Sequence, residues 1–516
     1  MHETSFSMAL LPSLDTPRIL QQRMPARGAE SLDALLAILP EDAGPEPLAR
    51  LPEPRRWRQL HERDRARAGT VRSTTLANDR HTLAVLGYVR PGATAFERLT
   101  LAGRMVKEAA SRKPQTLGLC ALEKAASAQI TLEALLAAAL AQAFTLPQFR
   151  GSRERKREEE RRIRAITLFT DGKEKEIDVR HTVAAARGNN LARWLTALPP
   201  NELDPRNYRR VIAQLARRSG LTMRWIDEAG LRRLGANAFL AVAAGNPRHD
   251  GGIAHLRYRP PRRRGGAVDL ALIGKGIVFD TGGVNLKPHR SMLDMHTDMA
   301  GSAVALATLL ALAELRAPIA ADAWLAITEN RIGPAAYRPQ EIVRAANGVT
   351  IQVIHTDAEG RMVLADTLAL AGRTKPRLMI DFATLTGACV YALTERMSGV
   401  FTNRPQLAGK LVEAGVASGE RVWNFPLEAD YDTDLESKVA DVLQCAVEGK
   451  GDHILAARFL QRFVPEGVAW AHVDLSSATR QGGLGHINTD VTGFGVRYAL
   501  DLFLKQRILD ALDERT

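Results

Sequence analysis

A glycine-rich stretch, GKGIVFDTGGVNLKP (274–288), and a short acidic peptide, HTDAEGRM (355–362), constrain this chain more than any other feature. Together with HTDMAG (296–301) they hold Asp280, Asp298, Asp357, Glu359, Lys275, Lys287 and Arg361. Glycines flank these charges, and apolar strand-like runs precede them. A chain arranged this way delivers charge to a cleft and not to a solvated face, because glycine frees the backbone where charged side chains must converge. The fold therefore has to bring the ends of several strands to one rim.

The surrounding pattern supplies such a fold. VDLALIG, ADAWLAIT, TIQVIHT and RLMIDFATL read as apolar strands. GSAVALATLLALAEL and RMVLADTLALAG read as helices between them. Apolar strands alternating with helices predict an α/β sheet covered on both faces. In such sheets ligands bind beyond the carboxyl ends of strands. Lys275 is expected to follow the strand VDLALIG, Asp357 the strand TIQVIHT, and Thr384 to Gly387 the strand RLMIDFA. Asp298 opens the next helix, where its dipole favours a carboxylate.

At 516 residues the chain is too long for one ordinary core. The part before residue 175 mixes strand-like runs (HTLAVLGYV, PQTLGLCAL, AITLFTD) with helical ones (TAFERLTLAGRMVKEAASR, ITLEALLAAALAQAF), which predicts a smaller α/β domain. The helix around HTVAAARGNNLARWLTALPP opens the second, so the expected domains are 1–177 and 178–516.

Composition excludes several classes. With 45% hydrophobic and 25% charged residues the chain is globular. The run LLAAALAQAF is too short to span a bilayer, and MHETSFSMALLPSLD has no basic leader region. Cys120, Cys389 and Cys445 lie far apart without a CxxC pair, which fits a reducing compartment and core positions. The expected location is the cytoplasm. The net charge of +12 comes largely from arginine in patches at 55–67, 150–164 and 257–264. RGSRERKREEERRIR alternates sign, as a solvated surface segment does. Clustered arginine also suits phosphate neutralisation, so nucleic-acid binding stands as an alternative role.

Four carboxylates are hard oxygen ligands that suit Mg, Mn, Co or Zn. Two such ions about 3.5–4 Å apart generate a hydroxide near neutral pH and polarise a carbonyl. A lysine in their midst either stays an ammonium or loses its proton to bind metal, at ~5 kcal/mol. A metal site worth about 10–16 kcal/mol can supply that. HExxH, GxSxG and GxxxxGK[ST] are all missing, which leaves zincin, serine-hydrolase and P-loop chemistries without support. A two-metal phosphoesterase shares the carboxylates but gives Lys275 no evident purpose.

The stretches NNLARWLTALPPNELDP, GKGIVFDTGGVNLKP, MHTDMAGSAVA, HTDAEGRMVLAD, DFATLTGACVYAL, AARFLQRFV, WAHVDL and VTGFGVR resemble, in order, those of the leucyl aminopeptidases, the M17 metallopeptidases. The resemblance implies an amino-terminal α/β domain, a catalytic domain with a central mixed sheet, and a homohexamer acting on peptides. It implies one metal on Lys275, Asp280, Asp298 and Glu359. It implies a second on Asp280, Asp357 and Glu359, with the Asp357 carbonyl added. Lys287 would stabilise the oxyanion, and Arg361 would hold a bicarbonate that shuttles a proton. Thr384, Leu385 and Gly387 would present backbone to the substrate, and Met295 would line the first side-chain pocket. Four places depart from the family pattern: His355 for Asn, His296 for Lys or Arg, Gln444 for Asn, and GKGDHILAA for a segment like GGSITAA. A packing or supporting role suits the two histidines better than metal ligation.

Overall fold

The structure, a computed structural model, describes residues 11–24, 30–63, 67–151, 162–170, 176–261 and 266–513. The first sheet is built from β1 (Arg18–Arg23), β2 (Ala34–Pro40), β3 (Val71–Thr75), β4 (Leu83–Val89), β5 (Thr116–Ala121) and β6 (Ala165–Thr170). Its order is β1-β6-β5-β2-β4-β3, parallel except for the antiparallel edge pair β3–β4. Alternate residues of β2 face opposite cores. Ala34, Leu36 and Ile38 join one, and Leu35, Ala37 and Leu39 the other. Helices Ala95–Ala110 and Ala125–Gln142 cover the first of these faces.

The second sheet holds β7 (Thr222–Asp227), β8 (Gly252–Tyr258), β9 (Leu270–Asp280), β10 (Ala321–Asn330), β13 (Leu378–Ala383), β14 (Ser398–Thr402), β15 (Val422–Asn424) and β17 (Ala469–Asp474). Three short strands between them, β11 (Ile342–Arg344), β12 (Thr350–Gln352) and β16 (Val442–Leu443), form a separate small sheet. The large sheet runs β15-β14-β17-β13-β9-β10-β8-β7, with a parallel centre and antiparallel pairs toward both edges. It is the mixed central sheet of a two-domain α/β protein.

The sheet is covered on both faces. Leu270 and Leu272 of β9 face the core that includes helix Ala300–Glu314, while Ala271, Ile273 and Ile277 face the one that includes helix Glu359–Gly372. Segment His289–Glu314 is apolar enough to suit a bilayer by composition, yet 78% of its most apolar window is buried. Its hydropathy is that of a core helix. Helix Arg180–Thr196 joins both domains, with Leu191 and Leu195 in the larger core and Ala186 in the smaller.

Two strand expectations need correction. β9 does not stop at Gly274 but continues to Asp280, so Lys275 sits inside the strand and not past its end. TIQVIHT yields only the three residues of β12, in the small sheet. The backbone leaves the ladder there because Gln444 Oε1 accepts from the amides of Ile354 and His355. Asp357 therefore reaches the rim on a loop. The three cysteines are buried and free. Most of the arginine-rich run 150–164 lies outside the described residues, as do parts of the other two patches.

Candidate active site

Lys275 has the parity of Ile273 and Ile277, so it points toward helix Glu359–Gly372. Small residues let the elements close around it. A Cβ on Gly274 would stand 2.5 Å from the Ser302 Cα, and one on Gly301 would stand 2.0 Å from the Phe382 carbonyl oxygen. The helix that follows Asp298 is thus pressed directly onto β9 and β13. Lys275 Nζ lies 2.7 Å from Asp298 Oδ1 and 2.8 Å from Glu359 Oε1, and donates to the Thr384 carbonyl at 3.0 Å. Thr384 Oγ1 also donates to Asp298 Oδ1, at 2.7 Å.

Asp280 ends β9. Its Oδ1 accepts from the Gly282 amide and from Asn330 Nδ2, each at 2.8 Å. Asn330, at the end of the parallel neighbour β10, pairs with Asp280 in register after a bulge. Gly282 and Gly283 have φ of +86° and +66°, so DTGG turns back through conformations that glycine tolerates. That turn brings Lys287 Nζ to 3.0 Å from Asp280 Oδ2 and 2.6 Å from Asp357 Oδ1. One ligand oxygen each from Asp280, Asp357 and Glu359 lie within 4.8 Å of one another. Six of the seven charged residues singled out in the sequence, all but Arg361, are therefore brought together.

The electrostatics are those of crowded, dehydrated acids. Burial, then the Glu359 charge, raises the Asp280 carboxyl. Burial also raises Asp357, with Asp280 adding to it, and lifts Asp298 well above the ordinary range against the pull of Lys275. Burial alone would lower both lysines. Asp298, Glu359 and Asp280 outweigh it at Lys275, and Asp280, Glu359 and Asp357 outweigh it at Lys287, so both are held above the usual lysine value. Four carboxylates face two ammoniums. Asp298 Oδ2 and Glu359 Oε2 are buried without a hydrogen-bond donor. Orphaned buried carboxylate oxygens of this kind, beside a hard-oxygen cluster, suit divalent cations.

Other expected residues lie around this centre. Met295, half-buried, begins the 3-10 turn that leads to Asp298. Leu385 donates its amide to Asp474 Oδ1 at 3.1 Å, and exposed Gly387 starts a short helix capped by Thr386. His355 Nδ1 accepts from the Asp357 amide at 3.3 Å, which is a supporting contact. Half-buried His296 has its pKa lowered by burial. Arg361 already carries a carboxylate on one of its amino groups. Its Nη2 donates to Asp452 Oδ1 and Oδ2 at 2.8 and 2.7 Å. Nε of the same guanidinium is buried without a partner.

Sequence reasoning missed Asn330, Asp474, Tyr337 and Asp452, and took Gln444 only as a departure. Tyr337 Oη donates to the Thr356 carbonyl at 2.8 Å, and Asp474 also accepts from Thr386 Oγ1 at 2.6 Å. Asn330 and Asp474 both close apolar strands. A polar residue ending a buried strand was the available signal.

The sequence profile of the cytosol aminopeptidase family, catalytic domain, matches residues 190–500. A probable cytosol aminopeptidase of Parasynechococcus marenigrum is 38% identical over 427 residues, covering 80% of this chain and 84% of that protein. Another, from Syntrophotalea carbinolica, is 43% identical over 324 residues, covering 61% of this chain and 63% of that protein, under two thirds of its length. Among solved structures, the bottromycin maturation enzyme BotP in complex with Mn superposes with a TM-score of 0.78 at 31% identity, covering 91% of this chain and 98% of that one.

Proposed function

Because the chain belongs to the cytosol aminopeptidase family, we propose that it is a leucyl-type metallo-aminopeptidase that hydrolyses the amino-terminal bond of peptides. The observation that carries this is the convergence of Lys275, Asp280, Asp298, Asp357 and Glu359, with Lys287, on one rim of the sheet. Lys275, Asp280, Asp298 and Glu359 would hold one divalent cation, and Asp280, Asp357 and Glu359 the other. Mn or Zn suits this donor set, with Mg and Co as further candidates, and Mn accompanies the related BotP. When bound, such a pair supplies a water nucleophile near neutral pH and polarises the scissile carbonyl.

The chain's own groups do the rest. Lys287 is a fixed cation at the mouth of the cluster, placed to balance the negative charge that develops on the carbonyl oxygen. Asp474 fixes the Leu385 and Thr386 amides, so the loop 384–387 presents its backbone to a peptide in one orientation. Met295 shapes the pocket for the first side chain. Residues 178–516 form the catalytic unit in this reading, residues 1–177 serve assembly into a homohexamer, and the enzyme works in the cytoplasm.

The test is hydrolysis of leucine p-nitroanilide by the full chain supplied with Mn or Zn, beside Asp357→Ala and Lys287→Ala. Activity in the parent and its loss in both variants is the expected result. Variants as active as the parent would reject the residue roles. Cleavage of nitrophenyl phosphate without cleavage of peptides would reject the reaction.

A further inference from the structure

Arg361 stands two residues after Glu359 in the first turn of the same helix. Its side chain is only 3% exposed. Nη1 donates to the Gln444 carbonyl at 3.2 Å, and Nη2 is taken by both Asp452 oxygens. The Asp452 side chain is 24% exposed, so the carboxylate lies between the buried guanidinium and solvent. It belongs to GKGDHILAA, the segment that departs from the family pattern. Gly451, at φ +62°, launches the helix Asp452–Gln461 and aims its first residue at Arg361.

A carboxylate and a bicarbonate present the same planar pair of oxygens to a guanidinium. They cannot both occupy Nη2. The tethered group has the advantage, because it gives up no translational freedom on binding and its effective concentration is high. At Nη2 the residues here therefore do not fit a free bicarbonate.

We propose that Asp452 is the resident anion of Arg361. It fills the position that the family resemblance assigns to bicarbonate, and the chain works without that ion. Gln444 extends the consequence. Its carbonyl accepts from Arg361, and its side chain holds the His355 amide and the Ala358 carbonyl on either side of Asp357. An Arg361 held by Asp452 thereby also steadies the loop that carries Asp357.

The test titrates sodium bicarbonate into the full chain in carbon-dioxide-depleted buffer, by isothermal calorimetry, for the parent, Asp452→Ser and Asp452→Glu. Saturable binding is expected for Asp452→Ser alone, with Asp452→Glu restoring the parent behaviour. The rate on leucine p-nitroanilide should not respond to bicarbonate in the parent, and should rise at least about tenfold in Asp452→Ser, within the range of a positioned proton carrier. Saturable binding by the parent, or a parent rate that rises with bicarbonate, would overturn the proposal. So would a folded Asp452→Ser that neither binds nor responds. The rate measurement rests on the aminopeptidase reading and the calorimetry does not. A parent inactive on peptides would defeat that reading and leave the binding result to decide this one.

Discussion

Gly360 lies directly against the Lys275 side chain: a Cβ built on it would stand 2.6 Å from Lys275 Cε and 2.8 Å from Nζ. The lysine crosses the first turn of helix Glu359–Gly372 in the space that this glycine leaves. Gly360→Ala gains up to about 1 kcal/mol in helix propensity, yet it must push Nζ away from Glu359 and Asp298. We expect a melting temperature close to the parent's and a fall in kcat/KM of about 10²-fold, the cost of a misplacement on the order of 1 Å. Differential scanning calorimetry beside leucine p-nitroanilide kinetics checks this. A fully active variant would show that Lys275 need not hold its position.

Asn330 has two acceptors, Asp280 Oδ1 and the Thr356 carbonyl. Tyr337 also donates to that carbonyl, so removing Asn330 falls mainly on Asp280. For Asn330→Leu we expect a loss of about 10- to 100-fold in metal affinity, typical of partners that orient a ligand. Calorimetric titration with Mn measures it, and an unchanged dissociation constant would mean that Asp280 needs no orienting.

How much was readable in advance follows from how local each signal was. Lys275, Asp280 and Lys287 share one glycine-punctuated peptide, and Asp357 and Glu359 stand two apart, so their convergence could be inferred from short spacings. The central strands were visible because β9, β10 and β13 are buried on both faces and read as continuous apolar runs. β3, VRSTT, has no fully buried residue and gave no signal. The end of β9 was misjudged because a lysine inside a strand looks like its terminus until Asp298 and Glu359 are seen to neutralise it. Asn330, Asp474 and Asp452 act on residues 50, 89 and 91 positions away, and no local pattern announces such pairings.

Lys287 is expected to act on the transition state more than on the substrate. It is the more exposed of the two lysines in the site, and the negative charge it would balance appears only as the carbonyl carbon becomes tetrahedral. Lys287→Met should lower kcat by about 10²–10³-fold with little change in KM. Steady-state kinetics at saturating Mn separates the two. A rise in KM at constant kcat would instead make Lys287 a substrate-binding group.

Away from the site, Glu420 is a buried carboxyl whose Oε2 accepts from the Gly495 and Tyr498 amides at 2.9 and 2.8 Å. Burial pushes its pKa up to about 7, although the two amides and Arg497 pull it down and Asp501 adds to the rise. The folded value lies above the unfolded one, near 4.3. The folded state therefore holds the proton more tightly. This contribution to stability is complete below about pH 4 and is lost as the pH climbs through about 7. A glutamine keeps one oxygen for both amides and cannot ionise. Glu420→Gln should flatten that part of the stability curve, gaining on the order of 3 kcal/mol relative to the parent between pH 4 and pH 8. Urea unfolding across that range measures the difference, and parallel curves for the two proteins would refute the assignment.

Removing metal should abolish activity without unfolding the chain. A cluster of three buried carboxylates and one half-buried one, left without cations, would normally be ruinous, because dehydrated like charges repel and lack counter-charge. Here Lys275 and Lys287 each lie within ion-pair distance of two of them. The sheet beneath the site also packs against an apolar core on each face. After chelation and dialysis we expect an unchanged far-ultraviolet circular dichroism spectrum and a cooperative melt at a lower temperature. The decrease should match the free energy of metal binding, about 2.7 kcal/mol at a hundredfold excess over the dissociation constant. Readdition of Mn should restore both the melting temperature and peptide hydrolysis. Loss of the cooperative melt on chelation would show that the two lysines do not suffice to hold the carboxylates together, and that metal is part of the fold itself.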